Sequence, residues 1–117
     1  MKHIHELEAR RTQVLRELAA IRSLRKGSLN EQWFPVVRGA KKTGQRRGPY
    51  YVWTYKGGNR TVSERLKGEQ AVAYARRQAQ DYRRFKDLCA QLEQLTQQLG
   101  EAERQEGLEQ EALKKGL

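Results

Sequence analysis

Apolar residues recur at helical spacing near both ends of the chain, with a short aromatic and β-branched run between them. Ile4, Leu7, Val14, Leu18 and Ile21 fall at intervals of 3, 7, 4 and 3. This is a heptad seam in which Arg11 takes the skipped position. Leu15 and Leu24 widen the stripe, so a first helix is predicted over residues 3–26. Arg25 and Lys26 suit the negative end of its dipole, and Gly27 is placed to end it. Phe85, Leu88, Leu92, Leu95, Leu99 and Ala102 follow a 3-4-3-4-3 spacing in a second helix predicted over residues 68–117. Val72, Ala75, Ala79 and Tyr82 precede that seam as a stripe with small residues, suited to close approach of a neighbour. Gly100 and Gly107 each cost about 1 kcal/mol in a helix interior, so the tail from residue 100 is expected to fray or bend.

The middle, residues 27–67, reads differently. Ser28-Leu29-Asn30-Glu31 has the form of a capping box and predicts a short helical turn, limited by Pro35. Residues 38–49 contain three glycines, five basic residues and no acid, and read as a loop. Tyr50 to Lys56 reads as a strand. Gly57-Gly58-Asn59 supplies a turn and Arg60 to Leu66 the return strand of a hairpin. With a two-residue turn at Gly57-Gly58, Trp53 pairs with Val62. One face then holds Tyr51, Trp53, Tyr55 and Val62. The other holds Tyr50, Val52, Thr54 and Lys56 with Thr61, Ser63 and Arg65. The predicted fold class is α+β, a single domain over 1–117. Its predicted form is a long antiparallel helical coiled-coil stalk with a small inserted, wing-like β-hairpin head.

The two helices differ in length, roughly 36 Å against roughly 46 Å to Leu99. Folded back with Lys26 near Gly68, the first helix reaches only to about residue 92. Leu92, Leu95 and Leu99 then form a seam for a second copy, and a homodimer is expected. The plainer reading is an exposed apolar stripe on a monomer.

Charge sharpens the picture. The chain carries 24 Lys/Arg and 14 Asp/Glu, a net of +10. Residues 22–86 hold 17 of those cations and four acids, Glu31, Glu64, Glu69 and Asp81, while residues 87–117 have a net of −4. A middle this basic attracts a polyanion over long range. Nucleic acid is the expected partner, with an acidic protein as the alternative; an anionic membrane fits the charge as well, but no membrane partner is expected. The basic residues are expected to gather at one pole and the acidic tail at the other. Apolar residues are 37% of the chain, below the roughly 45–50% of an ordinary globular domain, which argues against a deep substrate cavity. No apolar run is long enough for a transmembrane helix or a secretory signal, so a cytoplasmic protein is expected.

Enzymatic constellations are poor. His3 and His5 lack ligand-spaced partners, and Cys89 reads as a buried thiol beside the seam. Ser28 and Ser63 have no base in a recognisable motif. Gly57-Gly58 lacks the lysine and strand-to-helix context of a phosphate loop. Glu31, Glu64 and Glu69 are too dispersed to suggest a nuclease. Neither catalysis, a metal, a cofactor nor a small-molecule substrate is expected. The binding constellation is richer. Six of the nine aromatics, Trp33, Phe34, Tyr50, Tyr51, Trp53 and Tyr55, share the segment of the basic loop. Their plainer role is packing on a helix, above all for Trp53. Arg38, Lys41, Lys42, Arg46, Arg47, Lys56 and Arg76 are candidates for phosphate contact. Thr54, Arg60 and Arg65 are candidates for base contact. The expected function is non-enzymatic double-stranded DNA binding. RNA or single-strand binding, with Tyr50 or Tyr51 stacking on bases, is one alternative. An adaptor that works through its coiled coil is another.

Lys26-Gly27-Ser28-Leu29-Asn30-Glu31-Gln32, then Gly48-Pro49-Tyr50-Tyr51, Thr54-Tyr55 and Arg60 resemble a family of short bacterial and archaeal domains of unknown function. These read Arg-Gly-Ser-Leu-x-Glu-Gln, then Gly-Pro-Tyr-Tyr, before a long helix. The resemblance covers about residues 25–99 and implies an association with mobile elements, plasmids or phages. Family members often carry loop cysteines that suggest a zinc knuckle. This chain has none there, so no metal is carried over. More distantly, a hairpin followed by a helix is similar to the arm-site DNA-binding domains of phage-type integrases, an analogy of fold alone.

Overall fold

The computed structural model describes residues 2–116. Met1 and Leu117, the ends of the expected single domain, lie outside them. The chain is α+β, in the order α1 (Lys2–Ala20), β1 (Ser28–Arg38), β2 (Lys41–Gly57), β3 (Arg60–Leu66) and α2 (Glu69–Lys115). It divides into two compact units, residues 23–82 and residues 1–22 with 83–117.

The second unit is a helix pair. Leu7 and Val14 of α1 are buried with Leu88 and Leu95 of α2, and Leu18, Ile21, Leu92, Leu99 and Ala102 pack around them. The skipped seam position is put to use: Arg11 Nε donates to Thr96 Oγ1 at 3.2 Å. Glu17 pairs with Arg84 at 3.1 Å, so the two helices run antiparallel. This register corrects the expected seam. Leu95 is only 5% exposed and Leu92 and Leu99 pack in the same cluster. The surface reserved for a second copy is therefore covered within the chain, and the length argument for a homodimer falls. The misplacement came from pairing Lys26 with Gly68, whereas α1 lies further along α2. Cys89 is half-buried rather than buried. Helix α2 runs on through Gly100 and Gly107 to Lys115. An Arg104–Glu101 ion pair at 2.6 Å and a Lys115–Glu111 pair at 3.4 Å lie along that stretch.

The first unit holds a three-stranded antiparallel sheet in the order β1-β2-β3, where a two-stranded hairpin was expected. Helix α1 stops at Ala20, six residues before its predicted end. Residues 21–27 instead run without regular structure, and Arg25 is laid over the Trp53 ring at 4.8 Å while pairing with Glu64 at 2.8 Å. Tertiary contact thus overrides the helical period. The expected helical turn at Ser28–Glu31 is strand as well. Asn30 Nδ2 donates to Ser28 Oγ at 3.2 Å, so the would-be cap serves a neighbour on the same strand face. The basic segment expected to be a loop forms the first half of β2, every side chain from Lys41 to Pro49 exposed. It is held by the backbone ladder to β1 and by Thr43 Oγ1 donating to the Val36 carbonyl at 2.8 Å. Two irregularities interrupt that ladder, between Gln32 and Phe34 and between Pro35 and Val37.

Between β2 and β3 the turn is Gly58-Asn59, with Gly57 opposite Arg60 and Trp53 opposite Glu64. The predicted register was off by two residues. Because side chains alternate with a period of two, an even slip leaves both face assignments unchanged. Trp53 is fully buried and packs with Ala75 and Ala79 of α2 and with Leu29, Tyr55 and Leu66. The small-residue stripe of α2 therefore meets the sheet. Gly27 has φ +141°, and a Cβ there would lie 2.7 Å from Trp53 Nε1 and from the Thr54 carbonyl oxygen. Only glycine lets the chain cross the indole that closely.

Candidate functional site

Helix α2 covers one face of the sheet and leaves the other open. Across the open face run three rows of paired residues: Ser28–Thr54–Ser63, Asn30–Val52–Arg65 and Gln32–Tyr50. The first two rows are linked through polar side chains. Asn30 Nδ2 donates to Thr54 Oγ1 at 3.2 Å, and the Thr54 and Ser63 hydroxyls lie 3.4 Å apart. Arg65, a diagonal neighbour of Tyr50, lays its guanidinium over that ring at 4.3 Å. Phe34 meets the same tyrosine with ring centroids 5.4 Å apart.

The sheet is electrically polarised across its thickness. Glu31 sits opposite Tyr51 and Glu64 opposite Trp53, both in the rows of the covered face. The three rows of the open face contain no carboxylate. The unit as a whole has 13 Lys/Arg against four acids, a net of +9, while the helix-pair unit has 11 against ten, a net of +1.

The structure gathers some of the expected contact residues and separates others. Thr54, Lys56 and Arg65 share the open face by strand alternation. Arg47 lines a hollow on that face with Phe34, Val37, Gln32 and Tyr50. Arg38, Lys41, Lys42 and Arg46 lie on the outer stretch of the β1–β2 ribbon, beyond the end of β3. Arg60 belongs by alternation to the covered side, beside the β2–β3 turn, so base contact from the open face is closed to it. Arg76 lies on α2 with its guanidinium 5.9 Å from the Tyr51 ring, away from the open face.

No match is found. This holds for family models, for curated proteins and for solved structures alike. Among the described residues there is no group of three or more His, Cys, Asp or Glu placed to hold a metal ion. No described helix is long and apolar enough to cross a membrane.

Sequence reasoning missed Asn30, Gln32 and Phe34 as residues of the open face. Their spacing of two is visible in the sequence, but it becomes a signal only when Ser28–Arg38 is read as a strand. The capping-box form and Pro35 pointed elsewhere.

Proposed function

We propose that the chain binds double-stranded DNA without catalysis, through the open face of its sheet and the basic β1–β2 ribbon. The observation that carries this reading is the segregation of charge: the sheet's two carboxylates lie on the helix-covered side. Neighbouring strands lie about 4.8 Å apart, so the outer strand axes are about 10 Å apart, comparable with a major groove about 12 Å wide. The middle of the face is built from Ser28, Ser63 and Thr54, small enough for base edges to come close. Gln32 and Arg65 have the donor and acceptor sets that read adenine and guanine edges, while Asn30 gives both Nδ2 hydrogens to Ser28 and Thr54 and holds that part of the face in place. Lys41, Lys42, Arg46 and Arg47 would lie along the phosphates. The seam of Leu92, Leu95 and Leu99 is used within the chain, so this reading assigns no role to a second copy.

The test replaces Lys41, Lys42, Arg46 and Arg47 together with Ala. All four side chains are exposed, so folding should survive. Each phosphate contact contributes about 0.9 to the slope of log affinity against log salt, so the slope should drop by roughly 3–4. Lys114→Ala with Lys115→Ala, in the other unit, is the matched control. Equal losses in the two variants would mean that binding follows overall charge and that the sheet is no site.

A further inference from the structure

Two hollows adjoin the Tyr50–Arg65 pair. One, of about 760 Å³, lies on the open face among Phe34, Val37, Gln32 and Arg47. The other, of about 870 Å³, lies where β3 passes into α2 and is lined by Lys67, Arg76, Tyr51 and a single carboxylate, Glu69. Tyr50 and Arg65 line both. The stacked pair is thus a ridge between an aromatic hollow and a cationic one.

The chemistry of the two sides differs in a way that matches one kind of ligand. Phe34 is 50% exposed and Val37 52%, an apolar surface that a duplex groove does not need. Gln32 and Arg47 supply polar groups at its border. Neither Arg47 nor Lys67 has an ion-pair partner among the described residues. A nucleotide has a flat, largely apolar base with a polar edge, joined through a sugar to an anionic phosphate. We propose that the ridge seats one unpaired nucleotide of a DNA strand, its base on Phe34 in the first hollow and its phosphate against Lys67 and Arg76 in the second. The proposal rests on the DNA-binding reading and narrows its substrate to duplexes that carry an unstacked base. An unpaired base leaves the helix at less cost than a paired one, which makes such a site selective.

The experiment uses the full chain and two probes: a short plain DNA duplex, and the same duplex with one unpaired fluorescent adenine analogue. The bulged duplex should bind more tightly, and stacking on an aromatic ring should quench the analogue. Phe34→Ala should abolish the quench and weaken bulged-duplex binding by roughly 5- to 150-fold, the range for loss of one base–aromatic stack. Phe34 belongs to the open face, so plain-duplex binding should weaken too, but by less, and the preference for the bulged duplex should fall. Phe34→Tyr keeps the ring and should keep the quench, which separates stacking from misfolding. Lys67→Ala should lower the salt slope on the bulged duplex by about 0.9. Equal affinity for the two probes, or a quench that survives in Phe34→Ala, overturns the nucleotide site and leaves duplex binding standing. If neither probe binds, the DNA-binding reading fails, and this one with it.

Discussion

The helix pair and the sheet unit solve the same problem with opposite means. Both must form a core from a chain that is only 37% apolar. The helix pair does so by repetition: nine medium or small side chains, none aromatic, share one seam. The sheet unit does so by concentration: one fully buried indole, two alanines beneath it, and a few half-buried neighbours. Repetition spreads the stability over many replaceable contacts. Concentration makes one residue decisive, and it frees the rest of the sheet for exposed polar and basic side chains.

The largest expected effects follow from that contrast. Trp53→Ala should cost about 3–5 kcal/mol, the range for truncating a large buried aromatic. In a unit with so little other core this should remove most amide protection from residues 28–66. Leu95→Ala should cost about 2–5 kcal/mol and loosen the helix pair instead, because Leu95 is 5% exposed within its seam. Hydrogen exchange read by segment tests the pair of variants. If each one opens both units to the same extent, the two cores are a single cooperative body and the contrast is lost.

The same contrast explains how much was legible. A repeated seam is written in the order of residues, so Leu88, Leu92, Leu95 and Leu99 announced themselves. Only their partner was misjudged, because chain length does not reveal where α1 begins along α2. In the sheet unit, the strand around Trp53 was visible from its aromatic and β-branched residues. The first half of β2 was not, since Lys41 to Pro49 bury nothing and leave no alternation to detect. The early end of α1 was hidden for a related reason. Arg25 and Gly27 are committed to Trp53, a residue about thirty positions away, and no local pattern records that debt.

A smaller effect is expected at Gly27. Its φ of +141° is one that side chains rarely adopt, and an added Cβ would meet both backbone and indole at 2.7 Å. Gly27→Ala should cost about 1–3 kcal/mol, by backbone strain together with the clash. Near-ultraviolet circular dichroism, dominated by the tryptophans, should change in this variant. Gly100→Ala is the control from the helix pair, where a Cβ meets nothing within 4 Å. There the substitution should stabilise by roughly 0.5–1 kcal/mol, since alanine favours a helix interior. A loss of stability in Gly100→Ala would indicate that the continuous helix through that position carries strain.

The smallest expected effect separates the two units most cleanly, because it compares like with like. Each unit holds an ion pair between segments distant in the sequence: Arg25–Glu64 at 2.8 Å and Arg84–Glu17 at 3.1 Å. Their exposures mirror each other, 35% and 56% for Arg25 and Glu64 against 56% and 35% for Arg84 and Glu17. As surface pairs each should contribute about 0.2–1 kcal/mol at low salt and less at high salt. The difference is that the Arg25 guanidinium also lies 4.8 Å from the Trp53 ring centroid. That contact adds about 0.5–1 kcal/mol, and it persists when salt screens the carboxylate. Arg25→Ala should therefore destabilise more than Arg84→Ala, and part of the excess should survive in high salt. Glu64→Gln removes the charge partner but keeps the cation on the ring, so its cost should resemble that of Arg84→Ala. If Arg25→Ala and Arg84→Ala lose equal stability and both losses vanish in salt, the guanidinium contributes nothing through the ring. The sheet unit would then be held by the buried indole and its apolar neighbours alone.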